Sequence, residues 1–433
     1  MGKKLTDFFK LNIFKGDKGL WMIYFLLCMV SIVTIYSASS QMTFKQEAHW
    51  APLVEQIIFL VAGFIVVVFI SKVPCKYFKL VALVGLPLAI VMLVSVLVMQ
   101  KGVNSAARWI QVFGISFQPS EIAKSMLVIS VAVILSKMQK NEKVKTSKGV
   151  KNMIRATKGG HAKAFKIISV ITLLTCALIF PENLSTAAIL FLVIYVMMFM
   201  GNIPLDLMLK GTAVLVVLAI FFVTILLVVP EKNLSFMTRA VTWKHRIESA
   251  MGTQEVDSTS QEFIDKTRQV MMSKAAIAAS GVTGVGIGNS TTRDFLPHAE
   301  SDFIYSILVE ETGLFGAVFL LLLFVMLLIR VGRVAQKCDR FFPAFLVVGL
   351  GLMMVIQALF NILIAVGLFP VSGQTLPLIS KGGTSILITS FNFGMILSVS
   401  RYADKVEEKK ERKRLKEEQL IETDEIYSSE GIN

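Results

Sequence analysis

Ten apolar runs, each long enough to cross a hydrocarbon core of roughly 30 Å, recur along the chain. They fall at residues 20–40, 52–71, 77–99, 119–136, 164–181, 185–201, 205–229, 302–330, 341–369 and 383–400. In hydrocarbon every backbone N–H and C=O must find a partner inside the protein, so runs of this length fold as helices. The predicted architecture is an all-α polytopic membrane protein with ten transmembrane helices. Residues 1–19 form a cytoplasmic N-terminal segment, 20–401 the membrane domain and 402–433 a charged cytoplasmic tail. Ser37-Ala38-Ser39 resembles a signal-peptide cleavage site. The run before it is long for a signal, and nine more follow, so it reads as a retained span.

Sidedness follows from the basic residues. With a cytoplasmic N-terminus, the predicted cytoplasmic segments hold 31 Lys and Arg, and the short outer loops hold only Lys45, Lys101, Arg108 and Lys381. An even number of spans returns the C-terminus to the cytoplasm. The net charge of +14 on a chain 55% hydrophobic and 17% charged is therefore an orientation signal, and nucleic acid is not an expected partner. Residues 230–301 are predicted to form an extracytoplasmic cap with amphipathic pieces lying on the membrane. Apolar residues from Leu5 to Phe14, interspersed with lysines, suit an interfacial helix. Cys28, Cys75, Cys176 and Cys338 lack disulfide or metal spacing and read as free thiols.

Ionisable residues inside spans are costly and tend to mark function. Glu121, Lys124, Glu310 and Glu311 stand out. In Gln118-Pro119-Ser120-Glu121-Ile122-Ala123-Lys124, Pro119 suits a first helical turn, and Glu121 and Lys124 share a face. They form either a neutralised structural pair or a site where Lys124 faces an outward cavity, ready for a phosphate. Asp302 is expected at the outer, N-terminal end of span 8, where it either caps the helix or meets a substrate. Gly281 to Gly288 lacks the Lys-Ser/Thr ending of a phosphate-binding loop and reads as a tight turn or re-entrant packing. Pro370 to Ser385 is a kinked polar outer loop whose backbone N–H groups either contact an anion or simply break the helix. Gln357 and Asn361, one turn apart in span 9, are suited to gluing helices together. The four histidines (His49, His161, His245, His298) show no metal spacing.

Arg108-Trp109 with Gln118 through Lys124, then Pro297 through Phe303, then Pro370 through Ser385, resemble the SEDS family of bacterial shape, elongation, division and sporulation proteins. The match runs in order over residues 20–401, and Gln374 through Ser380 looks more like the division (FtsW) branch than the elongation (RodA) branch. The resemblance implies a glycosyltransferase of the bacterial inner membrane that polymerises lipid II into glycan strands. The implied setting is the division site, with a class B penicillin-binding protein as transpeptidase partner and other division proteins. It places the family's essential acid at Asp302. The sequence departs from the family pattern in having Glu300 before Ser301-Asp302, with His298 two positions earlier. Pro181-Glu182-Asn183-Leu184-Ser185-Thr186 also departs from the commoner Pro-Asp-x-Gly-Thr, so no carboxylate role passes to Glu182.

Glycosyl transfer from a lipid pyrophosphate needs a base for the attacking hydroxyl and compensation for the departing charge. Asp302 is the candidate base. Arg108, Lys124, Arg239 and Arg246 are candidates for the pyrophosphate, and Trp109 for stacking on a sugar or anchoring at the interface. Ser120, Glu121, Ser380, Gly382, Gly383 and Thr384 complete the candidate substrate-binding set. Whether a divalent cation such as Mg²⁺ or Mn²⁺ assists departure stays open at this level. A lipid II flippase and a non-catalytic division scaffold are the rival readings.

Overall fold

The computed structural model describes residues 14–38, 50–99, 110–112, 115–146, 149–156, 160–181, 183–228, 261–296, 299–369 and 371–429. A helix occupies each of the ten apolar runs: α1 (Lys18–Ala38), α2 (Ala51–Lys72), α3 (Phe78–Met99), α4 (Pro119–Met138), α5 (Gly160–Ile179), α6 (Leu184–Met200), α7 (Leu205–Val228), α9 (Ile304–Lys337), α10 (Phe341–Ala365) and α11 (Gly383–Ser429). An eleventh helix, α8 (Gln261–Ala279), lies in the long segment between α7 and α9. Eight of the ten are long and apolar enough to cross a membrane. The others are α6, which has 17 residues, and α4, whose first two turns hold Glu121 and Lys124. Two antiparallel hairpins are added to the helices: β1 (Ile110–Val112) with β2 (Ile115–Phe117), and β3 (Gln139–Thr146) with β4 (Gly149–Ala156).

Burial is uneven, as expected of a bundle whose rim meets hydrocarbon. The apolar windows of α10 and α11 are 67% and 72% buried by protein, against 22% for α2 and α3 and 6% for α7. The outward apolar faces, with Phe69, Leu83 and Phe221, are surfaces a bilayer would cover. One end of the bundle gathers the start of α1, the end of α9 and the middle of α11. There the Asp17 N–H donates to Ser400 Oγ at 2.7 Å, and Arg330 pairs with Asp17 at 3.3 Å. The other end gathers the end of α1, the start of α2 and the loop before α11, through Ser37 and a Lys381–Glu55 pair at 3.4 Å. This alternation is what a chain threading back and forth requires.

Two expectations shift. α8 does not rest on its own: Ser273 is fully buried, its hydroxyl 2.6 Å from both Ser306 Oγ and the Ala365 carbonyl. The amphipathic stripe is satisfied by α9 and α10, which offer polar partners that lipid does not. Span 8 is also interrupted, since Gly313 takes φ +69° and ψ −163° and divides α9 into a short first piece and a long second one. The first piece, Ile304 to Thr312, carries Glu310 and Glu311. The four cysteines are free, as expected, and burial pushes the Cys338 thiol between α9 and α10 up to about 12. The N-terminal interfacial stretch before Phe14 lies outside the described residues.

The break at Gly313 is where the glycine-rich stretch docks. Val285 and Gly286 donate their N–H groups to the carbonyls of Glu310 and Glu311 at 3.0 Å, and Leu314 donates to the Gly281 carbonyl at 3.3 Å. The tight, re-entrant reading of this stretch is the observed one. Gly284 sits at φ +78°, and a Cβ there would lie 2.2 Å from the Glu311 carbonyl oxygen. Gly281, at φ +56°, has nothing within 4 Å of its would-be Cβ. Left-handed strain alone costs about 1–2 kcal/mol, whereas an overlap with backbone adds more. Thermal unfolding of the purified protein should therefore show Gly284→Ala as strongly destabilising, by about 3 kcal/mol or more. Gly281→Ala should lose only about 1 kcal/mol.

Candidate functional site

The site is built where the loop 371–382 folds back over neighbouring ends of α4, α6, α9 and α10. α4 starts at Pro119, whose missing N–H costs nothing in a first turn. That start puts Glu121 and Lys124 on one face, 2.7 Å apart. Lys124 is only 1% exposed, and its ammonium also donates to Gln357 Oε1 at 2.8 Å. Gln357 then donates to the Thr375 carbonyl at 3.0 Å. A charge buried this deeply must be both paired and hydrogen-bonded, and here both conditions are met. Of the two alternatives for Lys124, the structure shows the enclosed, neutralised pair and not a cation open to an outward cavity.

One turn beyond Gln357 on α10, the fully buried Asn361 amide donates to the Asp302 carbonyl at 2.9 Å and to the Gln374 carbonyl at 2.6 Å. Ser380 repeats the stitch, with its hydroxyl donating to the Ser301 carbonyl at 2.5 Å and accepting from the Leu376 N–H at 2.8 Å. Lys381 N–H donates to the Glu300 carbonyl at 2.8 Å. Three consecutive carbonyls, from Glu300 to Asp302, are therefore tied to α10 and its following loop. The Asp302 side chain is half-buried and stands just before α9. Phe303, not Asp302, holds the cap position of that helix and makes no side-chain cap bond.

The loop itself is held from other sides. Gln374 donates to Thr186 Oγ1 at 2.7 Å, Asn183 donates to the Ser372 carbonyl at 3.1 Å, and Ser31 donates to the Ile379 carbonyl at 3.2 Å. Asn183 also caps α6, accepting from the Thr186 N–H. An Asn three residues before Thr at the head of an apolar run is a readable cap signal. Ser120 Oγ, Asn361 Oδ1 and Ser372 Oγ are buried without a hydrogen-bond partner, and all three belong to elements that meet here. Unpaired buried polar atoms are uncommon and mark places where water or a ligand fits.

The two glutamates of α9 have partners invisible to inspection of the helix. Glu310 accepts from Ser290 at 2.5 Å, from the Thr291 N–H at 3.1 Å and from the Thr292 N–H and hydroxyl. Glu311 accepts from the Ser37 hydroxyl and the Gly288 N–H, and Arg293 donates to the Ser37 carbonyl at 3.1 Å. Segment 288–293 thereby latches the first piece of α9.

Of the remaining candidates, Gly382 precedes α11 and Gly383 opens it. A Cβ on Gly383 would meet the Phe59 ring at 2.6 Å, so close helix packing accounts for that glycine. Thr384 is buried in the first turn. Arg108, Trp109, Arg239, Arg246 and His298 lie outside the described residues. No three His, Cys, Asp or Glu side chains converge to hold a metal ion among the described residues.

The profile of a cell cycle protein family that groups FtsW, RodA and SpoVE matches residues 18–405. The chain belongs to this family. A probable peptidoglycan glycosyltransferase FtsW of Saccharophagus degradans is 30% identical over 393 residues, 89% of this chain and 92% of its own length. Another of that name, from Coxiella burnetii, is 28% identical, covering 88% and 95%. Stage V sporulation protein E of Bacillus subtilis is equally near at 28%, covering 89% and 97%. Among solved structures, a chain of a peptidoglycan synthase complex that coordinates polymerization and crosslinking shares the fold at a TM-score of 0.66. It is 23% identical and covers 90% of this chain and 98% of its own. Thermus thermophilus RodA does so at 0.59 and 21% identity, covering 90% and 97%.

The Glu121–Lys124 pair is the clearest energetic test of this geometry. Removing one partner of a buried pair leaves an uncompensated charge and costs about 3–5 kcal/mol. Lys124→Met should lower the melting temperature sharply. The double variant Glu121→Gln/Lys124→Met should recover most of that loss, and a double-mutant cycle on thermal unfolding measures the coupling.

Proposed function

We propose that this family member is a peptidoglycan glycosyltransferase that polymerises lipid II, with Asp302 as general base. The observation that carries the reading is a carboxylate at the outer mouth of a membrane bundle whose own main chain is tied down on three successive carbonyls. A base must stand within hydrogen-bond reach of the proton it removes, so a fixed backbone matters more than an exposed side chain. In the proposed step the 4-hydroxyl of the acceptor's GlcNAc attacks the anomeric carbon of the lipid-linked donor chain. The new glycosidic bond forms as the bond to pyrophosphate breaks, the hydroxyl proton passes to Asp302, and the lipid pyrophosphate leaves.

The outer cations Arg108, Arg239 and Arg246 are the proposed pyrophosphate ligands, because guanidinium forks match phosphate oxygens. Trp109 is the proposed sugar platform. Ser120 and Thr384 are proposed contacts to the substrate, and Lys124 with Glu121 forms the buried floor beneath it. The proposed topology is ten crossings with both termini in the cytoplasm. The proposed setting is the bacterial inner membrane at the division site, with a class B penicillin-binding protein cross-linking the product. Lys124, Glu310 and Glu311 are all saturated by local partners. That favours a fixed outer site over the charged relay a flippase would use.

Purified protein with its transpeptidase partner should polymerise lipid II, and Asp302→Asn should lower the rate by about 10²–10⁴-fold while the protein stays folded. Undiminished polymer from the Asn variant overturns the assignment. Headgroup translocation in liposomes without any polymer points to the flippase instead.

A further inference from the structure

A second feature lies away from this site, between α5, α6 and α7. A trough of about 360 Å³ opens there, within the range of roughly 300–1,000 Å³ typical of ligand pockets. Its walls are apolar almost throughout, with Phe191, Met198 and Leu215 among them. Five polar residues interrupt the lining: Ser169, Thr172, Tyr195, Lys210 and Thr212. Lys210 stands at the end where α5 and α7 begin, and Thr172 lies deeper, its buried hydroxyl without a hydrogen-bond partner.

At the mouth, the Phe165 ring packs on Gly211, where a Cβ would come within 2.6 Å of it. Lys166 and Lys210 are each one residue from that contact, and Lys163 is one turn from Lys166. All three are exposed, and none is ion-paired with a described carboxylate. Asp206, one turn before Lys210, is exposed and forms no such pair either. A hydrocarbon-lined trough with cations at its mouth, at headgroup depth, has the chemistry of a lipid with an anionic head.

We infer that this trough binds an anionic phospholipid, with one acyl chain between α7 and α5/α6 and the phosphate at Lys210 and Lys166. Thr172 lies six residues beyond Lys166, about 9 Å along the helix. From there its hydroxyl donates to an ester carbonyl and so gains the partner it lacks. The occupant also explains how α7 is held: its apolar window is only 6% buried by protein, so a bound chain supplies the packing that protein does not. On the topology proposed above, the lipid comes from the cytoplasmic leaflet, where Lys-rich surfaces meet anionic headgroups.

The full chain, purified in detergent, is examined by native mass spectrometry and thermal unfolding with phosphatidylglycerol, phosphatidylcholine or undecaprenyl phosphate added. Phosphatidylglycerol should be retained and should raise the melting temperature by several degrees, with phosphatidylcholine doing neither. Lys166→Ala and Lys210→Ala should each weaken phosphatidylglycerol binding about fivefold. Leu215→Trp, which fills the trough, should abolish it. Equal retention of phosphatidylcholine, unchanged binding by both lysine variants, or preference for undecaprenyl phosphate overturns the inference. The exposed lysine variants decide the matter even if Leu215→Trp fails to fold.

Discussion

A polar group deep in a membrane bundle must find its partner within the protein, and the half of this molecule that holds Asp302 is organised by that requirement. Lys124 is the sharpest instance. Its charge is answered by Glu121 and Gln357, and Gln357 passes the contact on to the loop 371–382. Asn361, a turn away on the same helix, joins that loop to the main chain of Asp302. A buried charge, a helix glue residue and a candidate catalytic carboxylate thus form one connected structure. Loosening any member moves the others.

The latch on α9 obeys the same rule from the opposite side. Glu310 and Glu311 would be prohibitive in hydrocarbon if left alone. They are quenched by the hydroxyls and N–H groups of residues 288–292 and by Ser37. The break at Gly313 lets the glycine-rich segment pair with the backbone beside them. The first piece of α9 is therefore braced by residues before it in sequence, and by α10 and its loop at its start. Asp302 sits between these two braces.

Much of the helical frame was legible because span length and apolar continuity are one-dimensional signals, and each of the ten runs holds a helix. Asp302, Glu121, Lys124, Glu310 and Glu311 stood out for a similar reason, as ionisable residues at or within apolar runs. What they touch was not legible. The partners of Glu310 lie 18–20 residues away in a loop, and that of Glu311 on α1 lies 274 residues away. No local periodicity encodes such distances. The break at Gly313 was hidden because a polar Glu310-Glu311-Thr312 followed by one glycine fits an unbroken membrane helix equally well. Gln357 and Asn361 were visible as helix glue, but glue to a neighbouring helix and a clamp on a loop look alike in sequence. Lys124 was read both ways, since an i, i+3 carboxylate suits a closed pair and an open site equally.

Asn361 is proposed to hold the main chain of Asp302 so that its carboxylate can act as base. Steady-state polymerisation of lipid II by purified wild-type protein and a folded Asn361→Leu variant, each with the transpeptidase partner, tests it most directly. A fall in kcat of about 10- to 100-fold is expected, with KM for lipid II little changed, because the lost bond misplaces the proposed base without removing a substrate contact. An unchanged kcat in the folded variant would contradict it.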